Sequence, residues 1–336
     1  MIELHIYSTA GRRREPRVKQ LARTGRGRPR VPEMIPYASA AEAEAALGRA
    51  MTWAEAAWYK YSVAMPDSWL HCHTTVILFV IYTITPLPLL ILEQFAPSVI
   101  LPYKLQPGVQ VPLADSLRCY IEAACVFPIA VGFQLLSYPA AAKVLRTRMG
   151  LPLPSVRETV AQLVVYSLLE DYLSYWIHRL LHTQWGYEKI HRVHHEFTAP
   201  TGFAMSYSHW AENLLLSIPA LAGPVIVSCH ITTQWLWFSI RLIEGINIHS
   251  GYHFPFISPS KLIPFYGGAA YHDYHHYAGG RSQSNFAPLF TYCDYIYRTD
   301  KGYRYHKLKQ AKLKSLEENN VDKKGGSTAF STRKTD

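Results

Sequence analysis

Charge is scarce in this chain. Only 17% of its 336 residues are Asp, Glu, Lys or Arg, against about 25% in soluble domains. Meanwhile 49% are hydrophobic and gather in runs. That deficit argues against an ordinary soluble domain and for a membrane. Cysteine is sparse too. Cys72, Cys119, Cys125, Cys229 and Cys293 are scattered, odd in number and never paired as Cys-x-x-Cys. A disulfide framework is excluded, and free thiols in a reducing compartment or a bilayer are expected. The N-terminus lacks the short apolar core of a secretory signal. No H-E-x-x-H motif occurs, so hydrolytic zinc chemistry of that kind has no support.

What charge there is sits at the ends. Residues 1–33 hold nine Lys/Arg, and the last 36 residues are Lys-rich and polar. Basic tails beside membrane spans favour the cytoplasmic side. The Arg-rich start has no aromatic or recognition module beside it, so no nucleic-acid partner is expected. Residues 1–33 read as a basic disordered extension, with Met34 as an alternative start, and 309–336 as a polar disordered tail. Between them, 34–308 form one membrane-embedded domain.

The expected architecture is all-α. A helix is predicted over 40–60. Residues 74–92 and 123–142 carry no charge and approach the roughly 20 residues that cross a hydrocarbon core, so they form a hairpin. Pro86 and Pro88 would kink its first arm. Residues 155–182 open on Ser155 with Glu158 three residues later, a capping-box pattern. Gln162, Tyr166, Glu170, Ser174, His178 and His182 then form one polar stripe. Residues 213–240 are uncharged and carry Pro219, Gly223 and Pro224 mid-run; a second hairpin turning there brings the total to about four spans.

Histidine is plentiful: sixteen, ten of them in four short clusters. His178 and His182 form H-x₃-H, as do His249 and His253. His191, His194 and His195 form H-x₂-H-H, as do His272, His275 and His276. A chain of this histidine content yields roughly 0.04 H-x₂-H-H by chance, so two are not an accident of composition. Residues four apart on a helix share a face, and neutral imidazole suits iron, zinc, copper or nickel. An H-x₂-H-H triple can cap one ion or span two. Eight to ten imidazoles exceed one tetrahedral zinc, so two iron ions behind a histidine-rich helical cap fit best. If the clusters meet at one site, residues 196–248 must cross the membrane an even number of times. Candidates to hold the outer imidazole nitrogens are Glu170, Asp171, Glu196, Glu244, Asn247 and Asp273.

The blocks LVVYSLLEDYLSYWIHRLLHTQWGYEKIHRVHHEFTAP (163–200), EGINIHSGYHFP (244–255), IPFYGGAAYHDYHH (263–276) and SQSNFAPLFTYCDYIY (282–297) resemble the fatty acid hydroxylase superfamily. Within it they are most similar to the plant methylsterol monooxygenases that act on 4,4-dimethylsterols. Several members carry Asp where His253 stands here. The resemblance implies a multi-pass endoplasmic reticulum enzyme with cytosolic histidines and a di-iron centre. It also implies O₂ as co-substrate and NAD(P)H electrons through cytochrome b5 and its reductase, with other sterol C4-demethylation enzymes as partners. The substrate would be a sterol such as 24-methylenecycloartanol, its C4 methyl oxidised to the carboxylate. Two rivals stand beside it. One is a very-long-chain aldehyde decarbonylase on the same scaffold, expected to carry a further C-terminal domain. The other is a non-enzymatic metal-binding membrane protein, expected to place polar residues along its spans.

Overall fold

The computed structural model describes residues 37–279 and 283–331. The 1–33 extension and the Met34 start lie outside the described residues. Among the described residues there is no strand, only three isolated bridges. Two short helices, α1 (Ala40–Leu47) and α2 (Trp53–Ser62), replace the single helix expected over 40–60. Gly48 breaks it at φ 68°, a left-handed conformation that a Cβ disfavours. Thr52 then opens α2 with a full capping box to Glu55, satisfying two orphan N–H groups.

Next come α3 (Asp67–Ile84) and α4 (Leu87–Phe95), an apolar rod of 29 residues interrupted at Thr85 and Pro86. The partner arm α5 (Leu113–Leu145) runs 33 residues straight through Pro128 and Pro139. These two elements are long and apolar enough to cross a membrane. Their outward side chains, such as Val80, Ile84, Phe133 and Leu136, are covered by no protein.

The chain continues as α6 (Val156–Leu181), α7 (Trp210–Ile226), α8 (Ile231–Ile248), α9 (Gly268–Ala278), α10 (Tyr292–Ile296) and α11 (Lys301–Ser331). The uncharged 213–240 run does fold back on itself, but not at its prolines. Pro219 and Pro224 lie inside α7, and the reversal comes at 227–230. There the Tyr166 hydroxyl caps the Val227 carbonyl and His230 caps α8. The tail expected from 309 begins inside α11, which runs from Lys301 to Ser331. Lys309, Gln310, Ala311, Leu313 and Leu316 are strong helix formers, and no proline interrupts them.

α6 is organised inside out. Ser155 caps its start by accepting from the Glu158 N–H, although Glu158 itself turns to Arg148. The polar stripe Gln162, Tyr166, Glu170, Ser174, His178 is buried, and His182 follows it. Val156, Val160, Val164 and Leu168 on the opposite face are 51–80% exposed. A helix that hides polar groups and shows apolar ones is built for an apolar surrounding. α7 packs on α6 so closely that a Cβ at Gly223 would sit 2.5 Å from Tyr166. α3 packs against α5 and α8, and Tyr82, Cys119, Phe203, Ala204 and Ile246 seal that contact. All five cysteines are free.

Candidate metal centre

The C-terminal ends of α6 and α8, the 187–196 segment and α9 converge, and with them nine histidines. His178, His182, His191, His195 and His275 bring one ring nitrogen each to a first group. His194, His249, His272 and His276 form a second. The groups adjoin, since the His195 and His276 rings stack 4.7 Å apart. Each H-x₂-H-H therefore spans both groups instead of capping one. His191 and His195 face the first group and His194 the second, whereas His272 and His276 face the second and His275 the first. The backbone helps to separate them, with a π-turn at Tyr187–His191 and a 3₁₀ turn at His194–Glu196. Such irregular turns recur at functional sites.

The tautomers are fixed from outside. Nδ1 of His178, His194, His249, His275 and His276 bonds to the carbonyls of Phe286, Tyr207, Gly245, Ser284 and Phe197, at 2.7–3.1 Å. A carbonyl only accepts, so Nδ1 must carry the proton and Nε2 offers a bare lone pair inward. The Nε2 atoms of all nine rings face each other at close range. In the first group the pairs 178–191, 191–195, 195–275 and 275–182 are 3.0–3.1 Å apart. In the second, 194–249, 249–272 and 272–276 are 3.0–3.2 Å apart. His194 and His249 both have their tautomer fixed, so their bare lone pairs repel unless a cation lies between them. Neighbouring vertices of an octahedron with metal–nitrogen bonds of about 2.1 Å are about 3.0 Å apart, those of a tetrahedron about 3.4 Å. The observed edges match the octahedron. Each group could hold one metal ion.

Burial among other imidazoles drives His191, His195, His272, His275 and His276 far below the usual histidine range. Burial alone lowers His194 to about 4. Neutral, unprotonated rings are the form that binds metal.

His253 joins neither group. α8 ends at Ile248, His249 caps it, and Gly251 at φ 78° turns the chain away, so the helical i, i+4 logic does not apply. Its N–H bonds to the Tyr103 carbonyl instead. The polar residues expected to hold imidazoles are also engaged elsewhere. Glu170 pairs with Arg241 at 2.8 Å, and Asp171 accepts the Leu289 and Phe290 N–H groups. Glu196 accepts from the Tyr207 hydroxyl. Glu244 and Asn247 both meet the Tyr266 hydroxyl, and Asp273 accepts from Gln106. The carboxylate that does approach a ring is Glu212, its Oε1 2.9 Å from His191 Nδ1. No spacing ties Glu212 to His191; its one signal was a lone acid at the rim of an apolar run. Asp294 escaped notice as well. It accepts the Phe286 and Ala287 N–H groups and the Thr299 hydroxyl, and so fixes the strap whose carbonyls hold His178 and His275.

A cavity of about 390 Å³ opens beside both groups. His178, His191, His194, His249 and His272 form one wall, and apolar residues such as Leu216, Phe238, Leu242 and Ile248 line much of the rest, reaching Leu78 of α3, with Glu170, Ser208, Glu212 and Arg241 among them.

The model of the fatty acid hydroxylase family matches residues 163–299. A rice (Oryza sativa subsp. japonica) protein named very-long-chain aldehyde decarbonylase GL1-10 is 58% identical over 284 residues, 84% of this chain and 94% of the relative. The Arabidopsis thaliana methylsterol monooxygenase 1-1 is 53% identical over 291 residues, 85% of this chain and 97% of the relative. Methylsterol monooxygenase 2-2 of the same plant is 36% identical over 267 residues, 79% and 96% of the two chains. No solved structure matches. Because the rice decarbonylase is covered over 94% of its length, it does not carry the further C-terminal domain expected of a decarbonylase. With likeness at this level over most of its length, the chain belongs to the fatty acid hydroxylase family.

Proposed function

We propose that the chain is a membrane-bound di-iron monooxygenase that oxidises the C4 methyl group of a 4,4-dimethylsterol, in steps, to the carboxylate. The carrying observation is the cavity, which joins five inward histidines to an apolar chamber reaching a candidate membrane helix. Ligand pockets of this kind, apolar with few polar groups, run to about 300–1,000 Å³. A lipid could enter from the bilayer beside α3 without crossing water.

Iron held by the two groups would supply redox chemistry that couples O₂ reduction to C–H hydroxylation, with electrons from NAD(P)H through cytochrome b5. The first step adds one oxygen atom to the methyl and releases the other as water, consuming two electrons and two protons. The protein's own residues position and shield. Main-chain carbonyls fix five imidazoles, while Leu216, Phe238, Leu242 and Ile248 exclude water from the reacting carbon. His182, His195, His275 and His276 close the back of the cage. In this reading the α7–α8 hairpin also enters the bilayer, giving about four spans. The histidines then face the cytosol at the endoplasmic reticulum.

A second reading, aldehyde decarbonylation, draws support from the 58% identity to the rice protein of that name. None of the relatives named above bears on a non-enzymatic metal carrier. Microsomes expressing the full chain, given labelled 4,4-dimethylsterol and labelled long-chain aldehyde, decide between the two enzymes. C4-oxidised sterol is the expected product. Alkane from the aldehyde, with the sterol untouched, overturns the proposal.

A further inference from the structure

The cavity is mainly apolar, yet beside its histidines four of its side chains present buried polar atoms with no hydrogen-bond partner in the protein. These are Glu212 Oε2, Ser208 Oγ, Glu170 Oε2 and both Nε and Nη1 of Arg241. Buried polar atoms are almost always paired, so atoms left unpaired along one cavity point to a ligand that pairs them.

Position separates the two sets. Glu170 and Arg241 lie eight residues before His178 and His249 on α6 and α8, about 12 Å along each axis. That is too far to read a group next to the reacting carbon. Glu212 is different. It is 2% exposed, and its other oxygen lies 2.9 Å from His191 Nδ1. The carboxylate thus stands at most about 7 Å, that contact plus one ring's breadth and a metal–nitrogen bond, from the point where the first group's Nε2 atoms converge.

We propose that Glu212 and Ser208 form the subsite for a hydroxyl group of the substrate, the one on the carbon adjoining the carbon that bears the oxidised methyl. The hydroxyl donates to Glu212 Oε2 and accepts from Ser208 Oγ–H, so both orphaned atoms are satisfied at once. In a 4,4-dimethylsterol that group is the 3-hydroxyl, whose oxygen lies about 3 Å from a C4 methyl. With the hydroxyl held at Glu212, the methyl is carried to the histidine wall, at the few-ångström separation that a near-attack geometry requires. An aldehyde carries no hydroxyl to donate and leaves Glu212 Oε2 unpaired, so the subsite favours a hydroxylated lipid. A site built to bond a hydroxyl rejects analogues that lack it.

This inference rests on the sterol-oxidase reading, and its test separates the two. The full-length wild type, metal-free in detergent, is titrated with a 4,4-dimethylsterol and with its 3-deoxy counterpart, each displacing a radiolabelled sterol. The iron-loaded protein is then assayed for oxidation of both. The wild type is expected to bind the 3-hydroxy sterol at least tenfold tighter, with the preference falling to threefold or less in Ser208→Ala and in Glu212→Gln. Equal binding of the two sterols by the wild type overturns the subsite even if both are oxidised. A preference kept whole in both variants overturns it too. Should the wild type oxidise neither sterol, the parent reading is what fails.

Discussion

At the scale of single residues, the centre is defined by what holds five of its nine imidazoles from behind. Five main-chain carbonyls impose a tautomer, and five bare Nε2 atoms follow. The nine converging histidines were legible in the sequence because their spacing is periodic. Their supports were not, because a carbonyl belongs to any residue and only the fold selects Phe286, Ser284 or Tyr207. His253 shows the reverse error, a correct spacing on a helix that had already ended. These buried neutral rings also have a pH signature. The unfolded chain takes up a proton at His194 near 6.5, the folded chain only at about 4. Its contribution to stability is therefore complete above the unfolded value and lost as pH falls through the window between the two. At pH 5 His194 alone costs about 2 kcal/mol. Thermal unfolding of the metal-free protein in detergent is expected at a lower temperature at pH 5 than at pH 7. An unchanged midpoint contradicts the neutral-imidazole cage.

At the scale of elements, α6 carried the clearest message. Its polar stripe ran at helical spacing toward two histidines, and the structure buries that stripe. The α7–α8 reversal was legible as a necessity, since the clusters had to meet on one side, but its position was not. Pro219 and Pro224 looked like turn residues and are instead helical, because the first helix needs its full length to pack on α6. That packing depends on Gly223, where a side chain would strike the Tyr166 ring at 2.5 Å. Gly223→Leu is expected to force α6 and α7 apart and to cost about 1–3 kcal/mol, read as a lower unfolding temperature together with lost sterol oxidation. Wild-type stability in that variant contradicts the close crossing.

At the scale of the whole molecule, polarity is inverted relative to a water-soluble protein. Histidines, carboxylates and Arg241 are gathered inside, while Val156, Ile129, Phe133 and Leu136 face outward. A bilayer around α3–α5 resolves that inversion for those helices, and the histidine cage sits among the helix ends, beside a largely apolar cavity that reaches α3. Everything functional follows from two adjoining groups of inward nitrogens. Metal content per chain tests them most directly, by elemental analysis of the purified full-length protein, wild type beside a His249→Ala/His272→Ala double variant. Two irons per wild-type chain and one in the variant are expected. A wild type without stoichiometric metal, or a variant that keeps both ions, contradicts the two-centre cage.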